Sequence, residues 1–583
     1  MSKTVRSNLG KRLARAAFII ICMSMPVQAR DPIPSTFTAA DSSSESSVYA
    51  EFTRGVYLME IGQLAEAARH LESAWRSSAY QVPIGRRLAE VYFDLKRFDR
   101  CELVLDNIIS QRPSDYDALL LKAKVRYFER DRSDSISILE QIRREHGARS
   151  ESEGLLGNLY SEAGNAEKAL EAYARCLEIN PSQPYIQYRY GTLLAEAFRY
   201  SEAEVALRAA IELDPGFVEP ALELANIYVE TGRTEDAIPV LEGALSATPD
   251  NLSLLAALAQ VYLETGHLDE GIRVLEDRKS RGPLPREAEI LLGRLYYEAK
   301  DYGEAAAIFG VLFERENKSP ELARILGEVS LKAGDAEKSA GYFDTAIALD
   351  RSDYRSYIGK FFAASRNFNA EGTVIELDEK ERAALLDTAA SLVKGYDFDG
   401  NYVVGISYLS VDSLRTAEMF LLRANELKQK DEGTLLNLAS VYEKLKRYED
   451  AERHLAVLHE LKPNDPTVCN FYGYLLAEMD KDLEQAEKLV LEAVDGDPEN
   501  GYYLDSLGWV YYQMGDYARA VVELEKASRR VPDDPVILEH LGDAYRALRR
   551  FADAKAAYER SIALQDANSV LLEKLQSTTR EKP

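Results

Sequence analysis

The chain has 583 residues, and its composition is that of an acidic protein able to bury a core. Hydrophobic residues make up 46% and charged residues 29%, and 97 acidic against 71 basic side chains leave a formal charge of −26. A surface of that sign repels nucleic-acid phosphates, so the composition argues against a nucleic-acid partner. Both signs are mixed along the chain, which indicates solvated helix faces rather than an acidic tail.

Residues 1–29 have the pattern of a secretory signal peptide. Five basic side chains precede an apolar run over residues 16–25, and VQA at 27–29 resembles a cleavage site. The apolar run is short of the ~20 residues that a membrane-spanning helix needs, and no later segment is apolar enough to span a membrane. We therefore expect a protein exported across a membrane, without a transmembrane segment.

The same pattern predicts the N terminus of the exported chain. Cleavage is expected after Ala29, and residues 30–47 are polar enough to form a disordered tether. Lipid attachment at Cys22 is the less favoured alternative, because Ile21 stands where lipoprotein signals carry a small residue. Without a lipid, association with a membrane would depend on partner proteins.

A period of 34 residues runs through the rest of the chain. In the stretch LDSLGWVYYQMGDYARAVVELEKASRRVPDDP (504–535), a glycine is followed at set intervals by an aromatic residue, two small residues and a proline. These residues are Gly508, Tyr511, Ala520, Ala527 and Pro532. Earlier units in one unbroken frame begin at residues 48, 82, 116, 150, 184, 218, 252, 286 and 320. Such a period predicts stacked supersecondary units rather than a single catalytic site.

Each unit contains two segments of about 14 residues with apolar side chains at helical spacing. A short Gly/Asp turn separates the segments, and a proline-containing breaker ends the second one. From residue 48 to about 567, this pattern resembles the tetratricopeptide (TPR) repeat family. The resemblance implies an all-α fold: a right-handed superhelical solenoid of about 14 helix-turn-helix units, one degenerate unit and a C-terminal capping helix.

The repeats fall into two blocks. Nine units occupy residues 48–353, and five occupy residues 398–567, where one unit has an extra residue. Residues 568–583 are expected to form a capping helix and a tail, because the last repeat would otherwise expose apolar surface.

The two blocks are separated by an interruption at residues 354–397. It begins as a normal unit and then loses the pattern at 367–377, after which residues 378–396 again have the character of a helix. We interpret the interruption as a degenerate repeat with an inserted loop and a displaced helix. A decayed repeat that still packs is the first interpretation, and a hinge or docking element is the alternative.

Motifs for catalysis, cofactors or metals are not found. The sequence has no phosphate-binding loop, dinucleotide fingerprint, nucleophile elbow or HExxH motif. His454 and His459 are five residues apart, which does not place two ligands on one helix face. Cys101 and Cys176 stand where other units carry alanine, and no CxxC spacing involves them or Cys469. We predict no enzymatic activity, no cofactor and no metal site.

The resemblance places peptide binding on the first helix of each unit, which lines the inner wall of TPR solenoids. Positions 2, 5, 9 and 12 of that helix share one stripe. Near the C terminus the candidate residues of this stripe are Tyr502, Asp505, Trp509, Tyr512, Asn470 and Tyr474. Aromatic rings flanked by acids suit a partner segment with apolar and basic side chains. Packing of the rings against a neighbouring first helix is the alternative interpretation.

A second candidate site is predicted in the N-terminal half. Tyr185 and Tyr188 are flanked by Asn158 and Asn226 on the adjacent units. Asparagine both donates and accepts hydrogen bonds, so it can pair with a peptide backbone. A solvated wall without a ligand is the alternative.

Together these features predict a non-catalytic scaffold of the bacterial envelope that binds partner proteins or peptides. We expect it to be periplasmic or associated with the outer membrane. The alternative is a scaffold in exopolysaccharide export or in a secretion complex, linking a synthase to an outer-membrane pore. A cryptic enzyme is a third class, and only residues 367–397 leave room for it. The sequence leaves the partner and the oligomeric state open.

Overall fold

A computed structural model of the protein describes residues 44–316, 318–365, 377–564 and 569–580. All regular secondary structure in these ranges is helical, with 31 α-helices and one 3-10 turn in tandem. The prediction of an all-α array is confirmed. The predicted signal peptide, Cys22, most of the tether and most of the inserted loop lie outside the described residues.

The described chain forms two compact units, one up to Pro249 and one from Asp250. The helices of the first unit are α1 Ser44–Glu60, α2 Leu64–Ser77, α3 Val82–Asp94, α4 Phe98–Gln111, α5 Tyr116–Phe128, α6 Arg132–His146, α7 Ser150–Glu162, α8 Ala166–Ile179, α9 Pro184–Glu196, α10 Tyr200–Leu213, α11 Val218–Glu230 and α12 Ala237–Ala247, with the 3-10 turn Thr234–Asp236 before α12.

The second unit contains the remaining helices. They are α13 Leu252–Thr265, α14 Leu268–Arg281, α15 Arg286–Glu298, α16 Tyr302–Arg315, α17 Pro320–Lys332, α18 Ala336–Leu349, α19 Tyr354–Ser365, α20 Glu379–Leu392, α21 Phe398–Leu409, α22 Leu414–Leu427, α23 Glu432–Lys444, α24 Tyr448–Leu461, α25 Pro466–Glu478, α26 Leu483–Gly496, α27 Gly501–Gln513, α28 Tyr517–Arg530, α29 Pro535–Ala547, α30 Phe551–Leu564 and α31 Ser569–Arg580.

The 34-residue frame of the sequence is visible in the helix starts. In the first unit, first helices begin at Val82, Tyr116, Ser150, Pro184 and Val218. Aspartate or asparagine residues cap many of the helices by accepting hydrogen bonds from free backbone N–H groups, as Asp115 does from Ala118. The turn between paired helices takes the left-handed conformation, as at Gly164 with a φ of 77°.

Close approach of the two helices in a unit explains the anchor glycine. A Cβ atom at Gly508 would lie 2.5 Å from Cγ of Leu524, and one at Gly157 would lie 2.4 Å from the ring of Tyr173. The small residue Ala520, opposite Gly508 on the second helix, is fully buried. The core therefore runs between paired helices and continues to the first helix of the next repeat.

One predicted boundary differs from the structure. Residues 44–47, which the composition placed in the tether, belong to the first turns of α1. The limit between the two compact units lies after Pro249. Just before it, Pro239 stands in the first turn of α12, where its missing N–H costs least, and the 3-10 turn covers the preceding residues.

The interruption contains two packed helices. Asp378 and Glu381 form a capping box at the start of α20, with Asp378 Oδ1 accepting from the Glu381 N–H at 2.7 Å. The helix ends at Leu392 because Val393 is already extended, so it is shorter than the predicted 378–396. Helix α20 packs against both α19 and α21 and so takes the place of a second helix.

The last helix, α31, covers the residues where a capping helix is predicted. It packs against α30, and its Leu571 is fully buried. Cys101 and Cys176 are buried and free, as expected of small core residues, and Cys469 is also buried and free. Among the described residues, none of the helices combines the length and the apolar character needed to cross a bilayer.

Candidate functional site

The C-terminal candidate residues meet around one tryptophan. Trp509 on α27 is stacked on Tyr512 of the same helix, with ring centroids 4.9 Å apart, and on His540 of α29, with centroids 4.2 Å apart. Its indole Nε1 donates a hydrogen bond of 2.6 Å to Oε1 of Glu478 on α25. Trp509 thus joins the first helices of three consecutive repeats. We call Glu478, Asp505, Trp509, Tyr512 and His540 the Trp509 cluster.

A buried acid–imidazole pair lies beside the tryptophan. His540 Nδ1 lies 3.0 Å from Oδ1 and 3.2 Å from Oδ2 of Asp505, and the two side chains are only 9% and 11% exposed. Burial by itself lowers the pKa of His540, but the negative charges of Asp505, Asp543 and Glu478 outweigh it and raise that pKa above the ordinary 6.5. The pair is therefore an ion pair at mildly acidic pH.

The acidic side of the cluster extends to α23. Glu443 is half-buried, and burial followed by the nearby charge of Glu478 raises its pKa. Lys444 opposes this shift, but its amine is itself paired with Asp412 at 2.6 Å. Within the described part of the chain, the carboxylate of Glu443 makes no hydrogen bond or ion pair, and its backbone oxygen accepts a hydrogen bond from Lys446. Tyr474 on α25 lies near both glutamates, and its pKa is raised first by burial and then by these two acids.

At the other end of the cluster the acids are neutralised. Lys574 of α31 places its Nζ 2.7 Å from Oε1 of Glu539 and 2.6 Å from Oδ2 of Asp543. Tyr558 also donates a hydrogen bond of 2.6 Å to Asp543. The capping helix thus supplies a basic side chain to the acids on the first helix of the preceding repeat. Glu443 on α23 is also removed from solvent, but none of the described residues supplies a cation to its carboxylate.

The structure separates the predicted C-terminal residues into three groups. Asp505, Trp509 and Tyr512 come together, but they pack against neighbouring first helices, which is the alternative interpretation of the aromatic stripe. Tyr502 is open to solvent, with 56% of its surface exposed. Asn470 and Tyr474 are half-buried on α25, and Asn470 Oδ1 is buried without a described hydrogen-bond partner.

The second predicted site is not an open set of polar groups. Asn158 is 6% exposed, and its Oδ1 accepts a hydrogen bond of 2.7 Å from Tyr173, on the second helix of its own unit. The prediction that Asn158 pairs with a peptide backbone is therefore wrong, because its acceptor already serves the repeat core. Tyr185 and Tyr188 are half-buried, with Tyr188 edge-on to Phe217, and only Asn226 is exposed.

Sequence reasoning missed three residues of the C-terminal surface: Glu478, His540 and Lys574. His540 is residue 6 of its unit and Glu478 residue 13, so both lie outside a stripe of positions 2, 5, 9 and 12. His540 faces the preceding first helix α27, whereas Glu478 on α25 faces the following one, which is again α27. Reading positions 6 and 13 of each first helix for polar residues would have identified both. Lys574 lies in the capping helix, beyond the last repeat.

The polar groups around Trp509 include carboxylates, one imidazole and one serine hydroxyl. The described residues contain no group of three or more histidine, cysteine, aspartate or glutamate side chains that could hold a metal ion. The hydroxyl of Ser506, beside Asp505, is hydrogen-bonded to the backbone oxygen of Tyr502. The exposed part of this surface offers acidic groups and aromatic edges, which can contact a partner segment.

Two relatives share part of the sequence. A TPR repeat-containing protein of Pseudomonas aeruginosa is 32% identical over 119 residues, which are 20% of this chain and 20% of the relative. The protein O-mannosyl-transferase Tmtc3 of Drosophila melanogaster is 29% identical over 164 residues, 28% of this chain and 18% of that protein. The chain thus spans about a fifth of the length of these curated relatives.

Solved structures give looser matches. Yeast Tom70 is 16% identical, with a TM-score of 0.32 over 74% of this chain and 95% of Tom70. The chain matched in the APC/C hetero-tetramer Cut9–Hcn1 is 14% identical, with a TM-score of 0.31 over 92% of this chain and 99% of the other.

Family models are more informative because they match repeat by repeat. Three models, each described as a tetratricopeptide repeat, match residues 58–125, 155–216, 194–242, 229–295, 290–354, 434–467 and 506–569. Together these stretches make up more than half of the chain, and they coincide with the paired helices described above. The chain therefore belongs to the tetratricopeptide repeat family.

Proposed function

We propose that the protein is a non-catalytic scaffold of the bacterial envelope that holds a partner protein on the first helices of its C-terminal repeats. The partner segment carries basic and apolar side chains. It binds along α23, α25 and α27, where Glu443, Tyr474 and Tyr502 face outward or lie half-buried. The repeats act as a rigid support, and no bond is made or broken.

One observation carries this proposal: the Trp509 cluster fixes the surface, while the half-buried carboxylate of Glu443 beside it is paired with no cation among the described residues. Trp509 holds three first helices together through two ring stacks and a hydrogen bond. Glu443 and Glu478 are half-buried carboxylates close enough to raise the pKa of Glu443. A preorganised surface costs less conformational entropy on binding, and a basic side chain would relieve the repulsion between the two carboxylates.

Support for the envelope comes from the sequence alone. The basic, apolar and small-residue pattern of residues 1–29 is that of a signal peptide. Mass spectrometry of the protein purified from its own cells is expected to find an N terminus at Arg30, and fractionation is expected to find it outside the cytoplasm. An intact N terminus in a cytoplasmic fraction would overturn the envelope part of the proposal and leave the scaffold part standing.

Site-specific photo-crosslinking in cells tests the binding surface. A crosslinking amino acid at Tyr502, on the first helix α27, is compared with one at Val522, on the second helix α28 of the same unit. Both positions are well exposed, at 56% and 51%. We expect a defined partner to be captured at Tyr502 and not at Val522. The captured segment should be enriched in lysine or arginine, and capture should weaken at high salt.

Equal capture at both positions, or at neither, would contradict binding on the first helices. Capture of an acidic segment at Tyr502 would leave the surface in place and overturn the predicted chemistry of the partner. Because the two positions belong to one unit, a difference between them cannot result from unfolding of that unit.

A further inference from the structure

We propose that His540 is a pH-sensitive clamp between the repeats that contain α27 and α29. With its proton, the imidazolium holds α27 through Asp505 and Trp509. Without that proton, the joint between the two first helices loosens. This device goes beyond the scaffold function, because it concerns how firmly the repeats are held together whether or not a partner is bound.

The geometry makes His540 a polar contact between the two helices, beside the apolar core that they share. Its ring lies between an acid and an aromatic face, with Asp505 at 3.0 Å from Nδ1 and the Trp509 ring stacked at 4.2 Å and 18°. Both contacts come from α27, whereas His540 itself belongs to α29. An imidazolium satisfies both at once, since it forms a charged hydrogen bond with the carboxylate and a cation–π contact with the indole.

The acids around His540 lie on its own helix and on the two preceding first helices. Asp505 lies on α27, Asp543 on its own helix α29, and Glu478 on α25. From α31, Lys574 forms an ion pair with Asp543 and so weakens the contribution of that acid. Burial keeps salt from screening these interactions effectively. The three acids together favour the protonated ring despite its burial.

Loss of the proton changes the balance of charge in the joint. Neutral imidazole can still donate one hydrogen bond to Asp505, but the buried carboxylate then has no positive partner and faces Asp543 and Glu478. The folded-state pKa of His540 is raised, so its stabilising contribution is complete below the ordinary value of 6.5. It is lost as pH rises through the raised pKa.

Fluorescence of the full-length protein tests the clamp directly. The chain has only two tryptophans, so Trp75→Phe leaves Trp509 as the reporter. Imidazolium stacked on indole quenches its fluorescence. We expect emission to rise as pH increases, with a midpoint above 6.5. His540→Gln should abolish this transition, whereas His454→Gln, a half-buried histidine on α24, should retain it.

Two further experiments test the clamp if His540→Gln does not fold. One uses a second variant, and the other uses the unsubstituted chain. Asp505→Asn removes the main acid partner, and we expect it to move the midpoint to lower pH. In the unsubstituted chain, hydrogen exchange corrected for the intrinsic rate should show less protection of α27 and α29 at pH 8 than at pH 6. The proposal is overturned if the transition persists in His540→Gln, if Asp505→Asn leaves the midpoint unchanged, or if protection does not depend on pH.

Discussion

Glu443 is a single side chain whose proposed role in binding opposes the stability of the fold. A half-buried carboxylate without a cation loses hydration and gains no partner in return, which raises its pKa. Other acids removed from solvent are treated differently. Asp543 receives Lys574, and the fully buried Glu153 receives two hydrogen bonds from Arg143, at 2.8 and 2.6 Å. Asp543 and Glu153 have internal cation partners, whereas Glu443 does not. This difference is expected if Glu443 binds a cation of the partner protein.

Replacing Glu443 with glutamine is therefore expected to stabilise the protein while weakening capture of the partner. The folded-state pKa of Glu443 is raised, so the wild type loses stability as pH rises from the unfolded value of 4.5 through that pKa. Glutamine has no charge to bury. We expect Glu443→Gln to raise the urea midpoint of unfolding at pH 7, and this gain should vanish below pH 4.5.

The exposed Glu449→Gln substitution on α24 is the matched control and should change neither property. A lower urea midpoint for Glu443→Gln at pH 7 would mean that Glu443 has a favourable partner in the folded protein. Unchanged crosslinking at Tyr502 in Glu443→Gln would show that Glu443 does not contribute to partner binding. The conclusion about its effect on stability would still stand.

At the scale of single residues, the sequence predicts which side chains lie on the first helices but not what they touch. The period assigns Trp509 and Tyr512 to one stripe, and they are indeed on one face. It does not predict that His540 would cover the indole, because that contact depends on the distance and rotation between consecutive first helices. Asn158 fails for a related reason, since Tyr173 opposite it is long enough to reach its amide.

Among the helices, α31 is the one whose attachment depends most visibly on an ion pair. It contacts α30 through Leu571 and reaches α29 through Lys574. Removing the amine leaves Asp543 and Glu539 as half-buried or buried acids without their cation, and loss of a partner from such a group costs about 1–3 kcal/mol. The end of the array should therefore fray before the rest.

We expect Lys574→Ala to reduce hydrogen-exchange protection in α31 and α29 and to lower stability by about 1–3 kcal/mol. Lys555→Ala on α30 is the control. Its pair with Glu559 is 3.7 Å long and about half exposed on both sides, so its loss should cost less than about 0.5 kcal/mol. Equal effects of the two substitutions would show that α31 is held by apolar packing alone.

Element boundaries were the more predictable part of the structure. First helices start where the 34-residue frame places them, because proline, capping residues and turn glycines recur with the frame. The exceptions lie where local chemistry departs from the repeat. Pro239 delays α12, and extended Val393 ends α20 early. Each of these effects depends on one or two residues, so the 34-residue period alone does not predict it.

At the scale of the whole molecule, the repeats predict stability that is local rather than global. Within each compact unit, helices pack with their immediate neighbours along the chain, so the free energy of a unit is close to a sum of repeat and nearest-neighbour terms. A defect in one unit should therefore weaken that unit and the adjoining ones, while distant repeats keep their protection.

Gly157→Ala introduces such a defect, since its Cβ would lie 2.4 Å from two ring carbons of Tyr173. Overpacking of this kind costs about 1–3 kcal/mol. Hydrogen exchange should accelerate in α7, α8 and the helices next to them, and should be unchanged in α27 and α29.

Gly243→Ala on α12 is the control. It meets nothing within 4 Å, and alanine in an exposed helix position should stabilise by up to about 1 kcal/mol. A uniform loss of protection after Gly157→Ala, reaching α29, would show instead that the repeats unfold as one cooperative body, and the Trp509 cluster would then share its stability with every unit of the chain.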